Sequence, residues 1–244
     1  MNSVERQATI RSRRAFLTMG AGAVAAYGGW TWLRSRPQEG GVPWPIRNVL
    51  RVNEKVAGAY LSDGHLAPTF NEEQVNSELR VNGDVGMGDD FDPKAWHLNV
   101  QIPQAEPLQI TLDQIRALPK FEQTTQLNCI EGWTAIAHWG GARFSDFTAK
   151  FAPSESNATY VSMQTPDKKY FVGLDAASAL HPQTLLCYEL NGEMLPYEHG
   201  APLRLVIPVK YGVKKIKRIG TIKYLQDRPE DYWANEGYDW FAGL

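Results

Sequence analysis

The segment "LNCIEGW", residues 127–133, contains Cys129, one of only two cysteines in 244 residues. It lies between the polar run "EQTTQ" and the aromatic, glycine-bearing run "TAIAHWGG". The composition of "TTQLNCI" favours a β-strand that carries Cys129. Four interpretations of this thiol are open: a buried structural cysteine, a disulfide with Cys187, a nucleophile with His138 as its base, and a metal thiolate.

The metal interpretation depends on where the remaining ligands come from. Zinc needs several Cys or His ligands, and the five histidines of the chain show no CxxC or HExxH spacing. The CxxCH motif that attaches a haem is absent from the sequence. A single protein thiolate suits a metal whose other ligands belong to a cofactor.

A second segment, residues 199–224, is strongly basic. It reads "HGAPLRLVIPVKYGVKKIKRIGTIKY", and no acidic residue occurs between Leu205 and Gln226. One interpretation is a solvated basic strand face. The other is an anion site, in which lysines and backbone N–H groups surround a phosphate and Arg204 adds a planar donor pair. One short cluster without a known nucleic-acid-binding module does not favour nucleic acid.

The N-terminal region has the pattern of an export signal. Arg13 and Arg14 precede Phe16 and Leu17 with one residue, Ala15, between the two pairs, and the uncharged run "FLTMGAGAVAAYGGWTWL" begins at Phe16. This pattern resembles a twin-arginine signal, a route that exports folded proteins, often with a cofactor already loaded. The alternative is a basic flank on an ordinary apolar helix. A run of about 18 residues is at the lower limit for a membrane span, so a cleaved signal and a retained anchor both stay open.

Composition indicates a globular protein without a general affinity for nucleic acid. The chain is 43% hydrophobic, its net charge is −2 and its pI is near 6.2. We expect an α+β fold dominated by short strands. The predicted organisation is a signal or anchor over residues 1–34, a linker and N-terminal extension over 35–74, a main domain over 75–226, and an aromatic tail, 227–244, packed on that domain.

Local patterns predict several elements of the main domain. "HLNVQI", "LQITL", "PLRLVIPV" and "KRIGTIKYL" are predicted strands, and "TYVSMQT" with "KYFVGL" is a predicted strand pair. Thr111 and Gln114 have the spacing of a capping box, which predicts a short helix. Ser145 is a candidate helix start in "SDFTAKF". Asn191-Gly192 between apolar runs predicts a β-hairpin.

Taken together, these segments resemble the sulfite oxidase family of molybdopterin enzymes over about residues 75–225. The resemblance is to the bacterial branch that contains periplasmic methionine-sulfoxide reductase catalytic subunits. "CIEGW" is similar to the family's C-V/I-E-x-W segment, whose cysteine ligates molybdenum. "HGAPLRLVIPVKYGVKKIKRI" is similar to the later motif that holds the pterin and its phosphate. The two motifs in this order are more specific than either alone.

The resemblance implies a set of cofactor-binding residues. Cys129 would be the metal ligand and the catalytic residue. The later motif implies His199, Arg204 and the stretch Lys215, Ile216 and Lys217. Thr165, at the end of "YVSMQT", and Arg80 and Asn82, in "ELRVNG", complete the set implied by the family. The expected cofactor is Mo-molybdopterin, whose dithiolene supplies the sulfur ligands that the chain lacks.

The resemblance also implies a function, with some departures. The chain shows neither the haem domain nor the C-terminal dimerisation domain of animal sulfite oxidases, so we expect an external haem- or quinone-linked electron partner, including one in the membrane, and no dimer. A sulfite-binding arginine cluster has no clear counterpart. We therefore expect an exported, periplasmic or membrane-anchored enzyme that transfers an oxo group to or from a small molecule, with S-oxide reduction favoured over sulfite oxidation.

Two alternatives to this function stay open. One is a non-enzymatic, anchored β-rich binding domain with a Cys129–Cys187 disulfide, in which the basic strand binds an acidic partner. The other is a cysteine hydrolase that uses His138 as its base. Both depend on where the Cys129 thiol lies in the folded chain.

Overall fold

The structure is a computed structural model that describes residues 3–62, 64–88 and 91–244, with side chains from residue 11 onward. The chain divides into two compact units, residues 1–51 and 52–244. The predicted domain boundaries at residues 34, 74 and 226 stay predictions.

The first unit contains a long helix and a short β-ribbon. Helix α1 spans Ser3–Arg34, and strands β1, Gln38–Glu39, and β2, Val42–Pro43, pair antiparallel. Helix α2, Trp44–Tyr60, starts directly after the ribbon. Sequence reasoning missed α2, because the Pro- and Gly-rich run before it indicates a linker. Pro45 falls in the first turn of α2, where its missing N–H costs no helical hydrogen bond.

The apolar run of α1 is exposed within this unit, with Phe16 and Leu17 more than two-thirds accessible. Among the helices that the structure describes, none combines the length and the hydropathy needed to cross a membrane. The twin-arginine signal at Arg13-Arg14 stays a prediction.

Among the residues that the structure describes, the second unit contains the end of α2, ten strands and four further short α-helices. The strands are β3 Leu98–Gln101, β4 Leu108–Ile110, β5 Lys120–Asn128, β6 Thr134–Arg143, β7 Tyr160–Gln164, β8 Phe171–Asp175, β9 Leu185–Leu190, β10 Glu193–Met194, β11 Arg204–Val206 and β12 Thr221–Leu225. The helices are α3 Leu112–Arg116, α4 Phe144–Phe151, α5 Ala176–Ala179 and α6 Tyr232–Asn235. This mixture of helices and sheets agrees with the predicted fold class.

The strands form two five-stranded sheets. One has the order β10-β9-β6-β5, with β11 also paired to β9, and the other has the order β4-β3-β12-β7-β8. The pairing of β12 with β3 is parallel, and the other strand pairs of this unit are antiparallel. A single hydrophobic cluster draws buried residues from both sheets, including Leu98, Met163, Leu186, Leu205 and Ile222. Burial of this shared apolar surface stabilises the unit.

Two local predictions are confirmed in detail. The Thr111 hydroxyl accepts a hydrogen bond from Gln114 N at 3.2 Å, and the Gln114 carboxamide oxygen accepts one from Thr111 N at 2.8 Å, so the capping box begins α3. Asn191 and Gly192 have φ values of 52° and 81° and join β9 to β10 in the predicted hairpin.

Three predictions differ from the structure at their boundaries. Helix α4 begins at Phe144 with Arg143 as its N-cap, so the start at Ser145 is wrong. Strand β11 covers only Arg204–Val206 of "PLRLVIPV", since Pro202 and Pro208 lack the N–H groups that would extend the ladder. Strand β5 ends at Asn128, so Cys129 is the first residue after the strand instead of a strand residue.

Candidate active site

Cys129 begins the tight loop that joins β5 to β6. The two strands are paired up to Asn128 and Thr134, which leaves residues 129–133 as the turn. Cys129 N donates to Trp133 O at 2.9 Å, and Gly132 N donates to Cys129 O at 3.1 Å. Gly132 has a φ of +88°, which a residue with a side chain rarely adopts. The long hairpin therefore holds the thiol in a defined loop at its tip.

The basic segment approaches this loop from the other side. A Cβ atom on Gly212 would lie 3.3 Å from Asn128 O and 3.8 Å from the Cα of Cys129. Glycine at this position lets the short 3₁₀ turn Gly212–Lys214 pack against the backbone beside the thiol. Segments that are distant in the sequence thus meet at Cys129.

The two segments line a cavity of about 320 Å³. Seven of the nine predicted cofactor-binding residues contribute to its wall: Arg80, Asn82, Cys129, His199, Arg204, Lys215 and Lys217. The structure thus brings the residues implied by the two motifs and by "ELRVNG" to a single site. Their individual roles toward a cofactor stay predictions.

Thr165 and Ile216 are the two predicted residues outside this wall. The Thr165 hydroxyl donates to the Asp167 carboxylate at 2.6 Å, and a Cβ on Gly86 would lie 2.5 Å from the Thr165 methyl group. Thr165 therefore packs beneath the segment that carries Asn82. The Ile216 side chain is 1% exposed and belongs to the main hydrophobic cluster.

Arg204 and Lys215 form a buried cationic pair in the cavity wall. Their exposed fractions are 4% and 3%, and no described carboxylate forms an ion pair with either. Burial lowers the pKa of Arg204 to about 10. Burial, and secondarily the charge of Arg204, lowers the pKa of Lys215 to about 7. Two adjacent buried cations without an anion are unfavourable in the free protein.

The hydrogen bonds of this pair leave donors for a ligand. Arg204 Nη1 donates to His199 O at 2.9 Å, and its guanidinium lies 4.9 Å from the centre of the Trp139 ring. Arg204 Nε is buried and has no hydrogen-bond partner among the described residues. Lys215 Nζ donates to Gln126 O at 3.3 Å. A phosphate group would supply both the missing charge and the missing acceptor, so these residues fit the pterin phosphate.

The ammonium group of Lys217 joins two segments of the site, and the predicted contact of Lys217 with a cofactor stays a prediction. Its Nζ donates to three carbonyl oxygens, those of Asn82 at 2.6 Å, Gly83 at 3.2 Å and Glu198 at 3.0 Å. An ammonium group has three donors, so these bonds use its capacity. Lys217 thus ties the Asn82 segment to the loop that contains His199.

Glu131 organises the polar side of the Cys129 loop. Its carboxylate accepts hydrogen bonds from Trp133 Nε1 at 2.9 Å and Asn82 Nδ2 at 3.4 Å, and it lies 3.7 Å from Arg80 Nη2. Asn82 Nδ2 also lies 3.8 Å from Cys129 Sγ, within the range of a hydrogen bond to sulfur. Asn82 is therefore placed to orient the thiolate.

Sequence reasoning missed the aromatic residues of the wall. Trp133, Trp139, Tyr170, Trp233 and Tyr238 all line the cavity. Tyr170 comes from the β7–β8 turn and donates from its hydroxyl to Val213 O at 2.6 Å. Burial, with a further contribution from the charge of Asp231, raises the pKa of Tyr170, so its hydroxyl stays protonated. None of these residues belongs to a periodic pattern that points to a site.

The structure contradicts the two alternative roles of the thiol. Cys129 and Cys187 are both free, so the proposed disulfide is wrong. Cys187 is fully buried, and its thiol lies 3.0 Å from Glu189 O. His138 does not line the cavity that contains Cys129. The Nδ1 atom of His138 lies 2.9 Å from the Thr124 hydroxyl, which leaves Cys129 without the predicted base.

Comparison with known proteins agrees with this geometry. Residues 85–233 match the family model described as "Oxidoreductase molybdopterin binding domain". YedZ1 of Azospira oryzae, named as a protein-methionine-sulfoxide reductase subunit, is 33% identical over 195 residues, which cover 79% of this chain and 74% of that protein. The catalytic subunit MsrP of Xanthomonas campestris, named as a protein-methionine-sulfoxide reductase, is 35% identical over 153 residues, 57% of this chain and 47% of that protein.

Two further comparisons extend these matches. MsrP of Campylobacter jejuni is 28% identical over 203 residues, covering 75% of this chain and 68% of that protein. The crystal structure of the sulfane dehydrogenase SoxCD from Paracoccus pantotrophus superimposes with a TM-score of 0.52 at 18% identity, over 58% of this chain and 41% of that one. The likeness to SoxCD shows a shared fold.

The thiol of Cys129 is a suitable ligand for molybdenum, and the buried pair Arg204 and Lys215, which has no carboxylate partner among the described residues, suits a phosphate. The family model covers more than half of the chain, including both segments. The protein therefore belongs to the sulfite-oxidase-type family of molybdopterin-binding oxidoreductases.

Proposed function

We propose that this oxidoreductase reduces S-oxides to sulfides. Each turnover consumes two electrons from an external donor and two protons, and converts R₂SO to R₂S and H₂O. Relatives named as methionine-sulfoxide reductase subunits support this direction. The observation that carries the proposal is the wall around Cys129, which combines apolar and aromatic side chains with few cations that are free for a substrate. Lys217 and Arg80 are engaged by other groups of the protein, and Arg204 and Lys215 are the pair that we assign to the pterin phosphate.

The residues of the chain have distinct roles in this proposal. Cys129 holds the metal as a thiolate, with Asn82 Nδ2 3.8 Å from its sulfur. Arg204 and Lys215 hold the pterin phosphate. When bound, the molybdenum–pterin group supplies two-electron chemistry with oxygen-atom transfer. The protein contributes orientation through the hairpin loop and a partly closed, largely apolar cavity that limits access of water to the reacting atoms.

The charges in the wall favour a neutral S-oxide over sulfite. Sulfite is an anion and would require free cationic groups near Cys129. Lys217 uses its donors on carbonyl oxygens, and Arg80 lies against the Trp133 ring at 5.3 Å and beside Glu131. Sulfite oxidation, with electrons flowing in the opposite direction, is the second candidate.

The electron partner and the location complete the proposal. We expect a haem- or quinone-linked donor outside this chain, because a reductase of this type must be re-reduced after each turnover.

The Arg13-Arg14 pair followed by Phe16-Leu17 supports export by the twin-arginine route. Export of a fusion to a reporter enzyme should stop when Arg13 and Arg14 are both changed to lysine; continued export would contradict this part.

A viologen assay on cofactor-loaded protein tests the reaction. Reduced benzyl viologen should be oxidised with methionine sulfoxide and with methyl p-tolyl sulfoxide, and the sulfide should appear in a 1:2 ratio to viologen. Ferricyanide with sulfite should give much slower turnover. The Cys129→Ser variant is the matched control for background reduction. Turnover of sulfite without turnover of any S-oxide would reverse the proposed direction.

A further inference from the structure

The C-terminal segment contributes an aromatic pair to the cavity. Trp233 and Tyr238 both line it, and their rings meet edge to face with centroids 5.2 Å apart. Tyr238 lies beyond residues 85–233, which match the family model. Trp233 is the last residue of that match, so the pair joins the matched domain to the segment that follows it.

The aromatic pair is held in place by buried contacts. Tyr238 N donates to Trp233 O at 2.9 Å, which closes the turn between the two rings. Asp231 caps α6 by accepting from Ala234 N at 3.1 Å, and it also accepts from Lys214 Nζ at 2.5 Å. Lys214 adjoins Lys215 in the chain. The segment that carries the two rings is thus tied to the loop that carries the cationic pair.

The cavity that the two rings line also has aliphatic residues in its wall. Ile130, next to Cys129, and Val213, next to Gly212, line the same space. Tyr238 is 46% exposed, so part of the pair is in contact with solvent as well as with the cavity. Aromatic rings make favourable contacts with sulfur atoms and with the apolar groups bonded to them. A substituent on the sulfur of a substrate would gain this contact, whereas a small, fully hydrated molecule would gain little.

We propose that Trp233 and Tyr238 determine specificity, favouring S-oxides with an aryl or extended alkyl substituent over small S-oxides such as dimethyl sulfoxide. This inference rests on the proposed S-oxide reductase function. The pair acts on binding of the substituent and takes no part in electron or proton transfer. The substituent lies against the two rings while the S-oxide oxygen faces the metal side of the cavity.

Substrate pairs test the inference in cofactor-loaded enzyme. In Tyr238→Ala and Trp233→Leu, kcat/KM for methyl p-tolyl sulfoxide should fall by about tenfold, while that for dimethyl sulfoxide should change less than about twofold. Tyr60→Ala is the matched control, because Tyr60 is a comparably exposed tyrosine that does not line this cavity. It should leave both values unchanged. Trp233→Phe, which keeps an aromatic ring, should retain most of the preference and shows whether folding is intact.

A binding measurement gives a readout independent of turnover. Methyl p-tolyl sulfone resembles the aryl substrate and should quench tryptophan fluorescence on binding to the wild-type protein, with about tenfold weaker affinity in Tyr238→Ala. Equal losses for both substrates, or an unchanged sulfone affinity, would overturn the specificity role. A wild-type enzyme that reduces neither S-oxide would instead contradict the proposed function, so the two failures are distinguishable.

Discussion

Arg204 and Lys215 lie in the same wall of the cavity, both buried, and the positive charge of Arg204 lowers the pKa of Lys215. Such a pair is costly in the free protein and favourable once an anion is bound. The site is therefore built for its ligand at the expense of the stability of the apoprotein. Stability of the free protein and binding of an anion should therefore respond in opposite ways to any change in the charge of Lys215.

Lys215→Met should have opposite effects on stability and on cofactor binding. Removing a buried, uncompensated cation should raise the free energy of unfolding of the apoprotein by about 1 to 3 kcal/mol. Because the pterin phosphate loses a partner, molybdenum and pterin content should fall several-fold. Calorimetry and metal analysis give the two values. The control is Lys223→Met, outside the cavity. A variant that loses both stability and cofactor would contradict the claim that the charge of Lys215 destabilises the apoprotein.

The stability of the apoprotein should depend on pH through Lys215. Its pKa is about 7 in the folded protein, below its value in the unfolded chain. Between these pKa values the unfolded chain binds more protons, so stability should rise as the pH increases above about 7. The Tm of wild type should therefore approach that of Lys215→Met between pH 6 and pH 9. A constant Tm difference would show that Lys215 does not titrate in this range.

The affinity of the site for a phosphate-like anion should fall as the pH rises, whereas the stability of the apoprotein should rise. Since sulfate keeps its charge between pH 6 and pH 9, stabilisation of the apoprotein by sulfate reports the charge of the site. Sulfate should raise the Tm of wild type more at pH 6 than at pH 9. In Lys215→Met this pH dependence should be weaker. Equal pH dependence in both proteins would place the anion elsewhere.

Cys129→Ser should remove activity and leave the fold intact. Cys129 is half-buried in a loop, so the free energy of unfolding should change by less than about 0.5 kcal/mol. Viologen-linked turnover should fall by more than about 100-fold. Removing a residue that only supports a metal ligand typically costs about 10- to 100-fold in activity, and removing the ligand itself should cost more. Cys187→Ala is the matched control and should retain turnover. Activity in Cys129→Ser near the wild-type value would exclude Cys129 as the metal ligand.

Asp231→Asn should destabilise the protein strongly. It leaves Lys214 without its buried carboxylate partner, a change that typically costs about 3 to 5 kcal/mol. Asp227→Asn, at an exposed position, should cost less than about 0.5 kcal/mol. Urea denaturation measures both. In the double variant Asp231→Asn with Lys214→Met, part of the loss should be recovered; a loss equal to the sum of the single changes would argue against a coupled pair.

Short-range signals predicted the local structure best. The capping box depends on hydrogen bonds between Thr111 and Gln114, and the hairpin turn depends on the backbone conformations of Asn191 and Gly192. The structure confirms both predictions. Helix α2 was missed, because the Pro- and Gly-rich residues before it have the composition of a linker. Proline is common both in linkers and in the first turn of a helix, so composition alone does not distinguish a linker from the start of α2.

The candidate site was accessible from sequence only in part. Cys129, Arg204 and Lys215 lie in motifs, and the structure brings them to one cavity. Tyr170, Trp233 and Tyr238 reach that cavity through contacts between distant segments. An aromatic residue near a chain end has the same sequence signature whether it covers the core or lines a site. Only the packed structure separates these two cases.

The cavity that surrounds Cys129 has a consequence for the order of events during biosynthesis. Its wall includes residues from Leu79 to Tyr238, so a ribosome must release most of the chain before the site can form. Cys129 is synthesised long before Arg204 and Lys215, the two buried cations that we propose for the pterin phosphate. Cofactor insertion therefore requires that residues 79–238 have left the ribosome. A nascent chain that contains only the first motif offers the thiol of Cys129 without the cationic residues of the later segment.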